Sequence, residues 1–101
     1  MKTIRLADHS DFLATRFLGE IVRREITDVA ALHSVVELDF LGVTGLSHSF
    51  ADECFGILIA ENGLDFFKKN LKFRSLNEEI KAILRFVLAE RMQAGPLRVA
   101  C

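Results

Sequence analysis

Strand-like and helix-like patterns alternate three times along this chain, and their order limits the fold more than any other feature of the sequence. Strand-like segments lie at 2–6, 35–40 and 71–74, and helical spacing of apolar residues follows each of them. Such an alternation is expected to give parallel strands joined by right-handed crossovers. The sequence therefore predicts an α/β fold with a small, mainly parallel sheet of alternating strands and helices.

The first two helices are predicted from their apolar faces and from serines placed to cap them. Ser10 precedes a helix predicted over 12–26. Ser49 precedes a helix that ends near Asn62, where Gly63 is expected to take a left-handed conformation. The inward residues of this second helix are predicted to be Phe50, Cys54, Ile57 and Leu58.

The last helix is predicted from the capping box Ser75-Leu76-Asn77-Glu78, in which a hydroxyl and a carboxylate satisfy free N–H groups. Gly95-Pro96 is expected to end this helix, and 97–101 is then either an edge strand or a tail. The inward positions of all elements together give a predicted core of Leu38, Phe40, Ile57, Phe73, Ile83 and Val87.

The composition fits a single globular domain over 1–101, since half of the residues are apolar and 27% are charged. The net charge of −1 argues against a nucleic-acid partner. No membrane association is expected, because no apolar stretch approaches the roughly 20 residues of a spanning helix. Two cysteines without disulfide or metal spacing, and no signal peptide, predict a cytoplasmic protein.

The segment VVELDFLGVTGLSHSFADECFGIL, at 35–58, resembles a STAS domain, the module of anti-anti-sigma factors and of sulfate-transporter tails. The letters LDFLGV at 38–43 match the end of the family's apolar strand. The letters SFADE at 49–53 are similar to the start of the following helix in a STAS-like group of bacterial proteins of unassigned function. The resemblance extends over roughly 35–92.

This resemblance implies a non-enzymatic regulatory module with a partner-switching, anti-anti-sigma-like role. The implied partner is a protein, such as a kinase-type anti-sigma factor or a sensor ATPase, and a homodimer is also compatible with it. In an ungapped alignment the family's Asp-Ser-Ser-Gly motif falls on 47–50. His48 then occupies the position of the family's phosphorylated serine, with Ser47 and Ser49 on either side.

The uncharged loop before the second helix is the candidate functional site. Ligands and partners of an open α/β sheet meet the loops beyond the carboxyl ends of its strands, and covering a loop without charge avoids the cost of burying unpaired charge. Thr44, Ser47, His48 and Ser49 are therefore the candidate switch or partner-binding residues. Ser49 also has a purely structural interpretation as a helix cap. The alternative function is a small-molecule or nucleotide-binding module that uses the same loop.

Neither catalysis nor a metal or cofactor site is predicted. Ser47, His48 and Asp52 are neighbours in the chain, whereas a catalytic triad needs groups that converge in space. His48 and Asp52 supply only two of the three or four ligands of a zinc site. Gly42 and Gly45 lack the lysine and the spacing of a phosphate-binding loop.

Overall fold

The computed structural model describes the backbone of residues 1–100 and the side chains of residues 1–92. Short strands and helices alternate along it, and the predicted α/β fold class is confirmed. The strands are β1 (Lys2–Arg5), β2 (Phe12–Leu13), β3 (Val36–Asp39), β4 (Gly45–Leu46) and β5 (Leu71–Arg74). The α-helices are α1 (Arg16–Leu32), α2 (His48–Ala51), α3 (Ile57–Asn62), α4 (Leu64–Asn70) and α5 (Glu78–Ala100), and a π-helical turn (Asp52–Gly56) joins α2 to α3.

The main sheet contains β1, β3 and β5, with β3 in its centre. The predicted parallel pairing is confirmed, because Leu38 on β3 is the register partner of both Ile4 on β1 and Phe73 on β5. Successive side chains of a strand point to opposite faces of the sheet. Val36 and Leu38 accordingly share the face that packs into the core, where both are fully buried.

The opposite face of the main sheet is polar. The Glu37 carboxylate on β3 accepts hydrogen bonds from the Thr3 hydroxyl on β1, at 2.9 Å, and from the Arg74 guanidinium on β5, at 3.3 Å. Side-chain hydrogen bonds thus cross all three strands. This face differs from that of most parallel sheets, which are apolar and covered on both sides.

The region before α1 forms a second sheet and not the start of a helix. β2 pairs in parallel with β4, and Leu13 is the partner of Leu46. The helix predicted over 12–26 therefore begins later, at Arg16, with Thr15 as its N-cap. The Thr15 hydroxyl accepts from the Leu18 N–H at 3.1 Å.

Helix α1 also ends later than the predicted boundary near Ile26, since it runs to Leu32. Thr27 does not end the helix, because its hydroxyl donates to the carbonyl of Arg23 at 3.0 Å inside the helix. A threonine that bonds back to the preceding turn can stay in a helix. The last turns are held by Val29 and Ala30, which pack against the core.

α2, the π turn and α3 form one continuous helical segment, 48–62, which we name the central helix. Its π turn holds one more residue than an α-helical turn and so rotates everything after it. This explains why the prediction of an inward Ile57 is wrong. Ile57 is only partly buried, whereas Phe55 and Ile59 are buried. The predicted end at Gly63 is confirmed, with a positive φ of 89°.

Phe55 lies at the centre of an aromatic cluster that joins the central helix to the main sheet and to α4. Its ring centroid is 5.5 Å from that of Phe73, in an edge-to-face arrangement. The other rings around it are those of Phe40, Phe50 and Phe67. Of the predicted core, Leu38, Phe40 and Val87 are buried, and Phe73 and Ile83 pack partly buried against it.

Helix α5 begins at Glu78, and its N-cap is Asn77, whose Oδ1 accepts from the Ile80 N–H at 2.8 Å. The predicted capping box is wrong because Ser75 lies in a turn before the helix, with a φ of 63°. The predicted stop at Gly95-Pro96 is also wrong, since the backbone is helical to Ala100. A proline removes one helical hydrogen bond without forcing the helix to end. Cys101 lies outside the described residues.

Candidate functional site

Ser47 fixes the loop before the central helix to the end of β2. Its hydroxyl donates to the Ala14 carbonyl at 2.6 Å and accepts from the Phe50 N–H at 3.0 Å. Its own N–H donates to the Leu13 carbonyl at 2.9 Å. The cap that the sequence predicts at Ser49 is therefore at Ser47, because β4 ends at 46 and the helix starts directly after it.

Thr44 also has a structural role, although it is exposed. Its N–H and its hydroxyl both donate to the Asp11 carbonyl, at 2.7 and 3.0 Å. Its carbonyl accepts from the Asn77 side-chain amide at 3.0 Å. Thr44 therefore joins the segment before β2 to the residue that caps α5.

His48 and Ser49 lie at an open cleft of about 540 Å³, which we name the polar cleft. It is bounded by the first turn of α1, by the central helix and by α5. Its lining residues are Arg16, His48, Ser49, Asp52, Phe86, Val87, Glu90 and Arg91. The imidazole of His48 meets the ring of Phe86 edge-on, with centroids 4.9 Å apart. Of the four predicted site residues, His48 and Ser49 thus line this cleft, whereas Thr44 and Ser47 hold the surrounding segments together.

A forked ion pair crosses the polar cleft. The Asp52 carboxylate accepts from Nε and from one terminal nitrogen of Arg91, each at 3.1 Å. Gly56 permits this approach, because a Cβ at that position would lie 2.5 Å from Oδ1 of Asp52 and 2.9 Å from Nε of Arg91. Arg16 adds a longer contact, with 3.8 Å between its guanidinium and the Asp52 carboxylate. Most of the charge in the cleft is therefore paired within the protein.

Arg23 occupies a more buried position than a solvated helix face would give. Its guanidinium bonds to both the carbonyl and the carboxylate of Glu53, and the carboxylate lies at 2.9 Å. Its side chain is 12% exposed, whereas that of Arg24 is 74% exposed and pairs only with Glu20 on the same helix. The basic face of α1 thus serves partly to bind the acidic start of the π turn.

Phe86 and Arg91 were not predicted as site residues from the sequence. Both lie on α5, far along the chain from the loop, and only the packing of α5 against the central helix brings them to the cleft. No local motif marks either residue. Asp39 is the last residue of β3, and its carboxylate stabilises the turn that follows by accepting from the Leu41 N–H at 3.0 Å.

Cys54 and the metal-ligating side chains offer little reactive chemistry. Cys54 is fully buried, and this burial raises the pKa of its thiol well above the ordinary value, which keeps it protonated. Among the described side chains, no group of three or more His, Cys, Asp and Glu residues is placed to hold a metal ion.

In the described part of the chain, no helix has both the length and the apolar character needed to cross a membrane.

A comparison with protein families identifies the chain. A family model described as a STAS-like domain of unknown function (DUF4325) matches residues 16–81. No curated protein and no solved structure shows a significant match. The matched segment runs from the start of α1 into the first turn of α5 and includes Arg16, His48, Ser49 and Asp52 of the cleft. Because it spans more than half of the chain, this protein belongs to the family of STAS-like domains.

Proposed function

We propose that the protein is a non-enzymatic regulatory module that binds a protein partner over the polar cleft. The observation that carries this proposal is the ring of Phe86, which is 52% exposed and lies against His48 at the cleft. Aromatic side chains beside polar groups are characteristic of protein interfaces. By resemblance to anti-anti-sigma factors, the partner is a kinase-type anti-sigma factor or a sensor ATPase that the protein binds in a partner-switching role.

The switch position in this proposal is Ser49. Both hydrogen-bonding functions of the Ser47 hydroxyl are used by the fold, so a group attached there would break the helix cap. Ser49 lies in the cleft, one turn before Asp52. A phosphate or carboxylate at this position would compete with Asp52 for Arg91 and Arg16 and would change the charge that the partner meets.

The geometry around the hydroxyls supports a role without catalysis. A serine nucleophile needs an imidazole that accepts its proton and an acid that orients this imidazole. Instead, the Ser47 hydroxyl donates to a backbone carbonyl, and the Asp52 carboxylate is bound by Arg91. The ring of His48 packs against Phe86.

The test uses Phe86→Ala with Phe17→Ala as its matched control. Both rings are exposed on helices, but Phe17 lies outside the residues that line the cleft. Proteins captured from the native cell extract by the wild type should be lost with Phe86→Ala and with Ser49→Asp, and retained with Phe17→Ala. If both cleft variants retain every wild-type partner and keep the wild-type melting temperature, the cleft is excluded as the interaction site.

A small-molecule or nucleotide ligand is the second candidate, and the size of the cleft favours it. About 540 Å³ lies within the range of roughly 300–1,000 Å³ that is common for ligand pockets. A nucleotide that binds there should raise the melting temperature in proportion to the logarithm of its concentration. ATP, ADP, GTP and GDP should each be tested, with Arg16→Ala as the variant that loses the shift. Stabilisation by a nucleotide that Arg16→Ala abolishes would favour this function over the protein partner.

A further inference from the structure

The other flank of α5 borders a second concave surface, which we name the basic-rimmed groove. It has a volume of about 280 Å³. Its apolar lining comes from Phe67 on α4, Phe73 on β5, Leu76 in the following turn, and Leu84 and Leu88 on α5. Leu84 and Phe67 are almost fully buried and form its floor, whereas Leu76, Phe73 and Leu88 are partly exposed. Among the side chains that the structure describes, none lines both the groove and the polar cleft.

The charges on this groove all have one sign. Its two charged lining residues are Lys81 and Arg85, which lie four residues apart and therefore project from the same side of α5. The only acidic contact of Lys81 in the described part of the chain is Glu78, at 3.5 Å and 88% exposed, which is a weak pairing in water. An apolar surface with a positive rim thus occurs on a protein whose net charge is −1.

We propose that the basic-rimmed groove binds an acidic, amphipathic segment of a protein partner. A leucine or phenylalanine of that segment enters the groove between Phe73 and Leu88, and carboxylates on either side of it meet Lys81 and Arg85. Burial of the apolar anchor supplies affinity, and the complementary charges supply orientation and a faster encounter. This proposal concerns a surface separate from the polar cleft and does not depend on the function proposed there.

Size and shape favour this occupant over others. A groove of about 280 Å³ is below the common range for drug-sized ligands, of roughly 300 Å³ and more, but it accepts one or two side chains. A membrane surface needs apolar groups that protrude, whereas these groups line a concavity. Residues 93–101 of the chain itself contain Arg98 and no Asp or Glu, so that segment has the wrong charge to be the occupant.

The test begins with selection of random twelve-residue peptides displayed on phage against the immobilised full chain. The expected result is enrichment of peptides in which Asp or Glu flanks Leu, Ile or Phe. The strongest peptide, labelled with fluorescein, is then titrated with protein and followed by fluorescence anisotropy. Arg85→Glu should weaken its binding by at least about tenfold, since it replaces an attraction by a repulsion. Perturbed NMR resonances should map to Phe67, Phe73 and Leu88.

Arg24→Glu is the matched control, because it makes the same charge change at an exposed arginine on α1. It should leave the dissociation constant within about twofold of wild type, since Arg24 is exposed and is not among the residues that line the groove. Circular dichroism of both variants should show an unchanged fold, as expected for exposed positions.

Four outcomes would overturn the proposal. The first is failure to enrich peptides, or enrichment of peptides without acidic residues. The second is a peptide whose resonance changes map to Phe86 and His48, or whose affinity falls equally with Arg85→Glu and Arg24→Glu. The third is binding of phosphatidylserine vesicles, but not of peptides, that depends on Arg85, which would assign the groove to lipid. The fourth is concentration-dependent self-association that perturbs Leu88, which would assign it to a second copy of the chain.

Discussion

The two flanks of α5 differ in how their charges are used. In the polar cleft, Asp52 is held by a forked ion pair to Arg91, and the fold itself supplies both partners. In the basic-rimmed groove, Lys81 and Arg85 present the same sign beside an apolar floor. One helix thus carries a flank with a paired carboxylate and a flank on which, among the described side chains, Lys81 has only a weak, exposed partner in Glu78. Substitutions in the Asp52–Arg91 pair should therefore lower stability, whereas substitutions on the rim of the groove should change binding alone.

Leu84→Ala should have the largest effect. It tests whether a residue that lines the groove is also needed for the stability of the fold. Leu84 lines the groove, but it is only 6% exposed and belongs to the core. Its truncation should lower the free energy of unfolding by about 2–5 kcal/mol, because it removes buried methyl groups and leaves a cavity. Urea denaturation followed by circular dichroism measures the change. A loss under about 1 kcal/mol would mean that α5 packs loosely on this flank.

Asp52→Ala should come next and would test whether the cleft stabilises the domain. The variant removes two charge-assisted hydrogen bonds from Arg91, and each such bond contributes about 1.5–3 kcal/mol in buried settings. Since both side chains here are about a third exposed, we expect a smaller total loss of about 1–3 kcal/mol. A double-mutant cycle with Arg91→Ala isolates the pair, and its coupling energy should fall as salt is raised. A coupling energy of zero would show that the pair contributes nothing to stability.

Ser47→Ala and Ser49→Ala form a matched pair that separates the contribution of the helix cap from that of a residue lining the cleft. Loss of the Ser47 hydroxyl removes the helix cap and should cost about 1 kcal/mol. The same truncation at Ser49 should stay within about 0.5 kcal/mol, as for ordinary partly exposed positions. Thermal melts of the two variants give the comparison directly. Equal losses would place the cap, or part of it, at Ser49 after all.

Arg85→Ala should have the smallest effect on stability and completes the comparison of the two flanks. Arg85 is exposed on the rim of the groove, so its truncation should change the free energy of unfolding by no more than about 0.5 kcal/mol. Chemical denaturation alongside Asp52→Ala measures both flanks under one condition. A loss comparable to that of Asp52→Ala would mean that the groove, too, is part of the stabilising framework.

The main sheet was predictable from the sequence because each of its strands shows an alternation of side chains within a few neighbouring residues. Around Leu38 the side chains alternate between the two faces, and helical segments separate the strands, so parallel pairing follows from topology. β2 was not predictable, because two residues give no period. Phe12 and Leu13 fit a helix equally well, and only pairing with β4 makes them a strand.

The inward face of the central helix was missed for a different reason. A prediction from helical spacing assumes the same number of residues in every turn, whereas the π turn contains one more. As a result Phe55 and Ile59 are buried in the core and Ile57 is not. The helix caps were missed because several polar residues compete near each start. Thr15, Ser47 and Asn77 act as caps only because the preceding strand or turn ends directly before them.

The position of the cleft was only partly predictable. The sequence places His48 and Ser49 in a loop after the strand at 35–40, whereas in the structure they begin α2, close after the short strand β4. The rest of the cleft comes from Phe86 and Arg91, whose contribution depends on how α5 packs across the central helix. Such packing brings together residues about forty positions apart in the chain, and no short sequence motif predicts these contacts.

The edges of the main sheet also bear on how the protein behaves at high concentration. β1 and β5 are the outer strands, and unpaired backbone groups at such edges are a common starting point for fibrils. Lys2 and Arg5 are exposed on β1, and Lys72 is exposed on β5. Two copies that approached edge to edge would bring positive charges together, which opposes further strand addition. The exposed basic residues on both outer strands therefore disfavour the addition of a strand from a second copy to the main sheet.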